Sequence, residues 1–352
     1  MLIGEHKRWI GIAPLFDPED GTTILEPPGL GTGYWVGAPS AIYDDERSMF
    51  YLYYRRRKPR GMGRGYECGI SESRDGINFS EIWTASKDYF GSISVERAAL
   101  VKTLEGKYRL YIGYVAPEDN KWKIDMIEAN SPERLDPENK KLALAPEKCG
   151  VEGVKDPYIL IVGGKYYMLV SYAPSPERTS KGLHDTADVF NTGKTSSNTG
   201  LALSRDGVNF TWAGDVLSPP GNGWNAYAAR ITCILYIPPV FNAFYDGSAS
   251  VEENYEEKTG LAITFDLMNY YHVTEKAPIL VSPHASGSLR YMDAIRLGED
   301  IYYYYEYARR DGSHELRVNK VKSGKISSGT GALNIASHGG IPQSLTGNSL
   351  VQ

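Results

Sequence analysis

A weak but regular internal repeat constrains the fold of this chain more than any other feature. Each repeat contains a first strand, a short turn, a Tyr-rich second strand and a third strand. The first three repeats begin at Ala38, Arg97 and Asp156, 59 residues apart in each case, and later ones begin near Ala229 and Tyr291. Five such units predict an all-β fold, a five-bladed β-propeller whose four-stranded blades surround a central channel.

Turn motifs within the repeats support this fold. The heptapeptides "SRDGINF" (73–79) and "SRDGVNF" (204–210) each follow a third strand, and "FDLMNY" (265–270) is a degenerate third copy. An Asp-Gly pair favours a tight turn, and the Phe that follows packs on the next strand. The 26 Tyr and 37 Gly residues are typical of a β-rich chain with many turns.

The whole chain, 1–352, is therefore expected to form one propeller domain with a Gly/Ser-rich tail at 323–352. We expect the tail either to wrap the last blade or to be partly loose, and in the second case residues 6–16 could close the ring by adding a strand to blade five. The loop at 174–198 is long and polar, which is typical of a lid over a functional site.

Charge and cysteine content limit the partners of the chain. A net charge of −5 predicts neither a nucleic-acid footprint nor a polybasic membrane surface. Cys68, Cys149 and Cys233 are far apart and lack metal-ligand spacing, so we interpret them as buried thiols of a reducing compartment. No signal-peptide pattern opens the chain, which predicts a cytoplasmic location unless a secretion signal was trimmed.

The repeats resemble a known group of enzymes. First strands that open with "DP", second strands such as "KYYMLVSY" and the "SRDGxNF" hairpins resemble the five-bladed propellers of glycoside hydrolase family 43 and its relatives in families 32, 62, 117 and 130. The resemblance covers roughly residues 30–320. It implies a carbohydrate substrate and an active site in the central channel, built from an Asp base in blade one, an orienting Asp in blade three and a Glu acid in blade four.

The chain departs from that pattern at two of the three positions. Asp156 in "KDPYIL" matches the Asp of blade three. In blade one, however, Ala38 stands where the resemblance places the base, and the first strand of blade four offers Ala228, Ala229 and Arg230 instead of a Glu. Either other carboxylates therefore carry out the catalysis, or the chain has lost catalytic activity.

Propeller geometry indicates where other carboxylates would lie. The start of each first strand and the end of each second strand meet at the same end of the channel, because the two strands are antiparallel neighbours. Four carboxylates satisfy this condition and are the predicted catalytic residues: Glu96, Asp156, Asp246 and Glu306. Each also has a structural alternative as a turn residue, a cap or an ion-pair partner.

Basic and aromatic residues accompany these carboxylates. Arginines interleaved with carboxylates lower their pKa or bind an anionic group of a substrate, and aromatic rings can stack on a sugar. Structural salt bridges and packing between blades are the alternative roles. The predicted substrate-binding residues are Trp35, Arg97, Trp224, Arg230, Arg290, Asp293 and His314.

These observations favour hydrolysis of a glycosidic bond by carboxylate acid/base chemistry. Two alternatives stay open: phosphorolysis, in which basic residues hold phosphate as the nucleophile, and carbohydrate binding without catalysis, which the Ala residues favour. No motif for a nucleotide or a metal cluster occurs, so no cofactor is predicted, although such propellers can hold a single Ca²⁺.

Overall fold

The computed structural model describes residues 11–176 and 182–323. Its strands form five antiparallel blades around a channel, with blades five and one joined in a single sheet, which confirms the predicted five-bladed β-propeller. Blade one contains β2 (Trp35–Asp44), β3 (Met49–Arg57), β4 (Gly65–Ser73) and β5 (Ser80–Ser86). Blade two contains β6 (Val95–Lys102), β7 (Tyr108–Val115), β8 (Trp122–Ala129) and β9 (Lys141–Leu144).

The other three blades follow the same order from the channel outwards. Blade three contains β10 (Gly153–Val162), β11 (Lys165–Ala173), β12 (Asn198–Ser204) and β13 (Thr211–Leu217). Blade four contains β14 (Ala228–Ile237), β15 (Val240–Ser248), β16 (Lys258–Thr264) and β17 (Tyr270–His272). Blade five contains β18 (Leu289–Leu297), β19 (Asp300–Ala308) and β20 (His314–Lys322), with β1 (Thr22–Leu25) as its outer strand.

Helical structure is limited to short connections. The described residues contain one α-helix, α1 (Pro146–Cys149). The 3-10 helices are Pro18–Asp20, Arg60–Met62, Lys87–Phe90, Pro132–Arg134, Pro137–Asn139, Val189–Asn191 and Val251–Glu253. Within the described ranges no helix is long and apolar enough to cross a membrane.

The ring is closed by a strand from the N-terminal side of the chain. β1 pairs antiparallel with β20, and a single parallel bridge between Trp35 and His314 joins blades five and one. The closing strand begins at Thr22, which lies after the predicted segment 6–16. Of that segment, residues 6–10 fall outside the described residues, as does the tail from 324 onwards.

The repeated turn motif has the same structure in three blades. Asp75, Asp206 and Asp266 each accept hydrogen bonds from the backbone N–H groups two and three residues further on, at 2.8–2.9 Å. Gly76 and Gly207 follow with positive φ, and Leu267 adopts the same backbone conformation with a φ of 62°. The degenerate third copy therefore keeps the turn, because the Asp carboxylate organises it.

Tyrosines of the second strands fill the space between blades. Tyr53 of β3 packs with Tyr108 and Leu110 of β7 in one buried cluster, and Tyr303 and Tyr305 of β19 pack in another. Cys68 and Cys233 are buried free thiols, as expected, whereas Cys149 is half-buried. Packing between blades therefore leaves the ends of the innermost strands to line the channel.

Candidate active site

β-Bulges interrupt the innermost strands close to their N-terminal ends. The first bulged residue is Ala38 in blade one, Asp156 in blade three and Tyr291 in blade five, with φ angles of 53°, 50° and 52°. Glu96 occupies the same position in the bulge of blade two. A bulge changes the direction of its side chain, so these four residues stand at equivalent points around the channel. We call this end of the channel the upper end.

Glu96 is the centre of a cluster of buried cations. Its carboxylate pairs with Arg57 at 2.6 Å and with Arg55 at 3.0 Å. Burial alone would raise the pKa of this carboxyl, but Arg55, Arg57, Lys155 and Arg64 outweigh burial and lower it to about 2. Glu96 is therefore held ionised and is a poor proton donor at neutral pH.

Glu306 is held in a similar way. Arg290 lies 2.7 Å from its Oε1, the His314 Nδ1 lies 2.9 Å from the same oxygen, and Arg55 approaches Oε2 at 3.4 Å. Burial raises the pKa of Glu306, but Arg290 and Arg55 together bring it well below its usual range. Gly37 makes room for this side chain, because a Cβ atom at that position would stand 2.4 Å from the Glu306 carboxylate.

Asp156 contacts a different set of groups. Lys155 Nζ lies 3.5 Å from its Oδ2, and the Tyr291 hydroxyl donates to the same oxygen at 3.5 Å. Lys155 itself lies between the rings of Trp122 and Phe190, at 5.2 and 4.8 Å from their centroids. Burial among these groups lowers the pKa of the Lys155 ammonium.

Asp246 differs from Glu96 and Glu306 because the nearest arginine bonds elsewhere. Arg230 stands opposite Asp246 in the β14–β15 register, yet it donates to Glu257 and, at 3.3 Å, to Asn254. The Asp246 carboxylate instead accepts the backbone N–H of Tyr291 at 2.9 Å. Burial therefore dominates and raises the pKa of Asp246 to about 6, although Arg230 opposes this shift.

A loop segment between β15 and β16, residues 254–257, lies over this end of the channel, and we call it the cover. The Tyr255 ring stacks on Arg57 at 4.6 Å, and its hydroxyl donates to Asp188, which pairs with Arg64 at 3.4 Å. Glu256 contacts His314 Nε2 at 3.0 Å. Tyr255 has a φ of 82°, a strained conformation for an aromatic residue.

The cover and its neighbours shield the predicted catalytic carboxylates from solvent. Glu96 and Asp156 are each 2% exposed, Asp246 is 1% exposed and Glu306 is fully buried. Arg55 joins Glu96 to Glu306, and Tyr291 joins Asp156 to Asp246. Arg290 connects the two pairs, because it bonds Glu306 and lies 4.8 Å from the Tyr291 ring. The structure thus brings them into one central network of buried charges.

Several of the predicted binding residues belong to this network. Trp35 stacks on His314 with a centroid distance of 4.6 Å, and the Arg290 guanidinium lies 4.8 Å from the Trp35 ring. Trp224 does not join them. It stacks on Tyr245 at 5.7 Å, and its indole N–H donates to the Thr274 carbonyl at 2.8 Å. A glycine at 247 leaves room for that ring, since an added Cβ would meet it at 2.5 Å.

Arg97 and Asp293 lie deeper in the channel. Arg97 donates to the Pro39 carbonyl at 3.0 Å and lies 3.8 Å from Asp293. Asp293 accepts the N–H groups of Ala41 and Ala294, both at 2.8 Å, and burial raises its pKa to about 6. It also lines a cavity of about 510 Å³ formed by the C-terminal halves of the five innermost strands, at the opposite end of the channel.

Sequence reasoning missed six members of the network: Arg64, Asp188, Tyr255, Glu256, Glu257 and Tyr291. Alignment of the repeats on their bulges would have found Tyr291, because it occupies the position of Asp156. The others come from loops that obey no repeat. Asp188 lies in the loop predicted as a lid, of which residues 177–181 are outside the described residues. Among the described residues, no group of three or more His, Cys, Asp or Glu side chains is arranged to hold a metal ion.

Comparison with known proteins shows which enzymes share this fold. No protein-family model and no curated protein matches the sequence. Among solved structures, the chain is similar to a β-1,2-mannobiose phosphorylase from Listeria innocua, with 16% identity and a TM-score of 0.58 over 88% of this chain and 96% of that one. It is also similar to a thermostable family-43 glycoside hydrolase, with 13% identity and a TM-score of 0.60 over 90% and 96% of the two chains.

A third similar structure belongs to glycoside hydrolase family 130, described as mannoside phosphorylases that include hydrolases of β-1,2 mannosidic linkages in Candida mannan. It is 15% identical, with a TM-score of 0.57 over 90% of this chain and 92% of that one. The chain therefore has the fold of propeller glycoside hydrolases and phosphorylases.

Proposed function

We propose that this chain hydrolyses a glycosidic bond at the upper end of its channel, with Asp246 as the proton donor and Asp156 as the second carboxylate. The observation that carries the proposal is the contrast between two buried carboxyls of one network. The pKa of Asp246 is raised to about 6, whereas that of Glu96 is lowered to about 2. A buried carboxyl with a raised pKa beside another carboxylate that is held ionised is typical of glycosidase active sites.

Asp246 is suited to donate a proton because, among the described residues, it is the upper-end carboxyl that forms no ion pair, whereas Glu96 and Glu306 pair with arginines and Asp156 with Lys155. Arg230, its nearest candidate partner, is occupied by Glu257. Near pH 6 a substantial fraction of Asp246 is therefore protonated, and the proton can pass to the oxygen of the leaving sugar. The second buried carboxyl with a raised pKa, Asp293, faces the cavity at the opposite end and has no part in this proposal.

Asp156 is suited to act on the other side of the bond. It sits at a bulge of blade three, whereas Asp246 ends a strand of blade four, and Tyr291 contacts both through its hydroxyl and its backbone N–H. Tyr291 thereby fixes the two carboxyls relative to one another. In this arrangement Asp156 activates water or attacks the sugar, and the distance between the two carboxyls with sugar bound decides between inversion and retention.

Glu96 and Glu306 have a different role in this proposal. Both are held ionised by arginines, so they act as fixed negative charges that stabilise positive charge on the sugar ring in the transition state. They also keep Arg55 and Arg290 in place. Sugar binding requires the cover to move away from Arg57 and His314, which it contacts in this structure.

The test is a panel of aryl glycosides and oligosaccharides assayed for reducing-end release with the full chain, without phosphate. Wild type should cleave at least one member, and Asp246→Asn should lower kcat by about 10²–10⁴-fold. Asp125→Asn is the matched control, since Asp125 is a buried carboxyl in blade two whose one side-chain partner among the described residues is Tyr114. Equal activity of Asp246→Asn and wild type would refute the assignment.

Phosphorolysis is a second candidate, favoured by the density of buried cations around Glu96. Phosphate carries charge that guanidinium groups bind in pairs of hydrogen bonds. Product formed only when phosphate is present, and released as a sugar phosphate, would replace hydrolysis by this reaction.

Carbohydrate binding without cleavage is a third candidate, favoured by Ala38. This residue occupies the bulge of blade one that corresponds to Asp156 in blade three, and it brings no carboxylate to the channel. Sugar binding with no turnover of any panel member, with or without phosphate, would establish this reading.

A further inference from the structure

The central network has an uneven distribution of charge between strands and loops. At the upper end the strands contribute five buried cations, Arg55, Arg57, Lys155, Arg230 and Arg290. They contribute four buried carboxylates, Glu96, Asp156, Asp246 and Glu306. Burial raises the pKa of Asp246, so it does not carry full negative charge near pH 6, and although burial also lowers the pKa of Lys155, the four arginines alone match the four carboxylates in number. The strands by themselves therefore place an excess of positive charge at this end of the channel.

Loops supply the missing negative charge. Glu257, directly before β16, bonds Arg230 and lies 2.7 Å from Arg290. Asp188 pairs with Arg64, a buried arginine between β3 and β4, at 3.4 Å. Glu256 of the cover adds a third carboxylate, 3.0 Å from His314. Carboxylates from loops thus stand against a cationic wall in the closed structure.

The arginines retain hydrogen-bonding capacity in this arrangement. Arg55 Nη1, Arg57 Nε and Arg230 Nε are buried and have no hydrogen-bond partner among the described residues. A buried guanidinium that loses its counter-ion is strongly unfavourable, because an uncompensated charge then remains out of water. When the cover moves to admit a ligand, an anionic group on the ligand can take over the contacts of the loop carboxylates.

From this charge pattern we infer that the glycoside bound at the upper end carries a carboxylate, as a uronic acid does. The inference rests on the proposed function and adds the class of substrate. The planar fork of an arginine matches a carboxylate with two parallel hydrogen bonds, and Arg230, Arg290 and His314 are the groups that the loop carboxylates now occupy. A neutral sugar does not replace the loop carboxylates at these three groups and binds less tightly.

The test is calorimetric titration of the full chain at low salt with D-glucuronate, D-galacturonate, their neutral counterparts glucose and galactose, and inorganic phosphate. At least one uronate should bind about tenfold or more tightly than its neutral counterpart, and added salt should weaken it. Equal binding of charged and neutral sugars would overturn the inference. Binding of phosphate with no preference for either uronate would also overturn it, because the anion would then be a co-substrate.

Variants of one loop provide a second readout. Glu256→Gln removes a carboxylate that competes with the ligand, so it should bind the preferred uronate several-fold more tightly than wild type does. Glu252→Gln is the matched control, since Glu252 is exposed on the same β15–β16 connection and makes no contact with the network. Identical affinities of the two variants would contradict the inference. Arg230→Gln should abolish the preference for the charged sugar, provided that its circular dichroism spectrum shows a folded protein.

The outcomes separate this inference from the proposed hydrolysis. Tight uronate binding with no turnover of any glycoside refutes hydrolysis and supports the acidic ligand. Turnover confined to neutral glycosides supports hydrolysis and refutes the acidic ligand.

Discussion

Ala38 and Asp156 occupy the same place in two different blades. Each is the first residue of a bulge in an innermost strand, each has a φ near 50°, and each precedes a proline. Blade one therefore presents a methyl group where blade three presents a carboxylate. The candidate catalytic carboxylates therefore come from blades two to five.

This equivalence makes Asp156→Ala a well-controlled variant. The bulge of blade one already accommodates alanine at this position with the same backbone, so the fold should be retained. Loss of the second carboxylate should lower kcat by about 10²-fold or more. Reducing-end assays and thermal melts measure the two effects separately. A fully active and folded variant would exclude Asp156 from the reaction.

The activity should depend on pH through Asp246. A proton donor works only while protonated, and burial raises the pKa of Asp246 to about 6. We therefore expect kcat/KM to fall as the pH rises through about 6, about tenfold per pH unit above it. A pH profile between 5 and 9 measures this limb. A rate that stays constant across that range would contradict the role of Asp246.

Stability should also depend on pH, with opposite contributions from two sets of carboxyls. The raised pKa values of Asp246 and Asp293, both about 6, contribute stability below the ordinary Asp value, and this is lost as the pH rises through 6. The lowered pKa of Glu96, about 2, contributes stability above the ordinary Glu value, and this is lost as the pH falls towards 2. The free energy of unfolding should therefore be highest near pH 4.

Urea unfolding at pH 3–8 measures this dependence. Each Asp shift of about two pKa units corresponds to about 3 kcal/mol at most between pH 4 and pH 8. The double variant Asp246→Asn, Asp293→Asn should lose the decrease above pH 4 and keep the decrease at more acid pH. An unchanged profile in that variant would show that other groups control the alkaline limb.

Two neighbouring arginines provide a further test of the network. Arg55 is fully buried between Glu96 and Glu306, whereas the Arg56 side chain is 25% exposed and pairs with Glu67 and Glu81 on the outside of the sheet. Arg55→Met should destabilise the protein by about 3–5 kcal/mol, because two buried carboxylates lose a partner.

Arg56→Met, the adjacent control, should cost about 1 kcal/mol or less, because exposed ion pairs contribute little. Urea denaturation at pH 7 compares the two variants. Similar losses of stability would mean that the central network does not stabilise the fold as described.

The sequence was sufficient for the fold because its strongest signals are local and repeated. The Asp of each "SRDGxNF" turn organises its loop by itself. The motif can therefore still be recognised where Leu267 replaces glycine. Likewise, strand-one starts and strand-two ends meet wherever two strands are antiparallel. In the structure, Asp246 accordingly lies opposite Arg230, and Glu306 lies opposite Arg290.

The site was less predictable, because the pKa of each charged side chain depends on which neighbour it pairs with in the folded structure. The register alone suggests that Arg230 neutralises Asp246, whereas the loop residue Glu257 takes that arginine and leaves Asp246 with a raised pKa. Trp224 precedes its strand much as Trp35 does, yet it packs on Tyr245 within blade four. Loop residues obey no repeat, so neither outcome could be predicted from spacing.

The location of a bound sugar tests the central claim most directly. A crystal structure of Asp246→Asn soaked with a cleaved oligosaccharide or, failing that, with a bound uronate should show a sugar ring at the upper end of the channel. We expect the ring to lie between residue 246 and Asp156, with the cover displaced from Arg57. A sugar bound elsewhere on the propeller, with the central network and cover unchanged, would contradict the account.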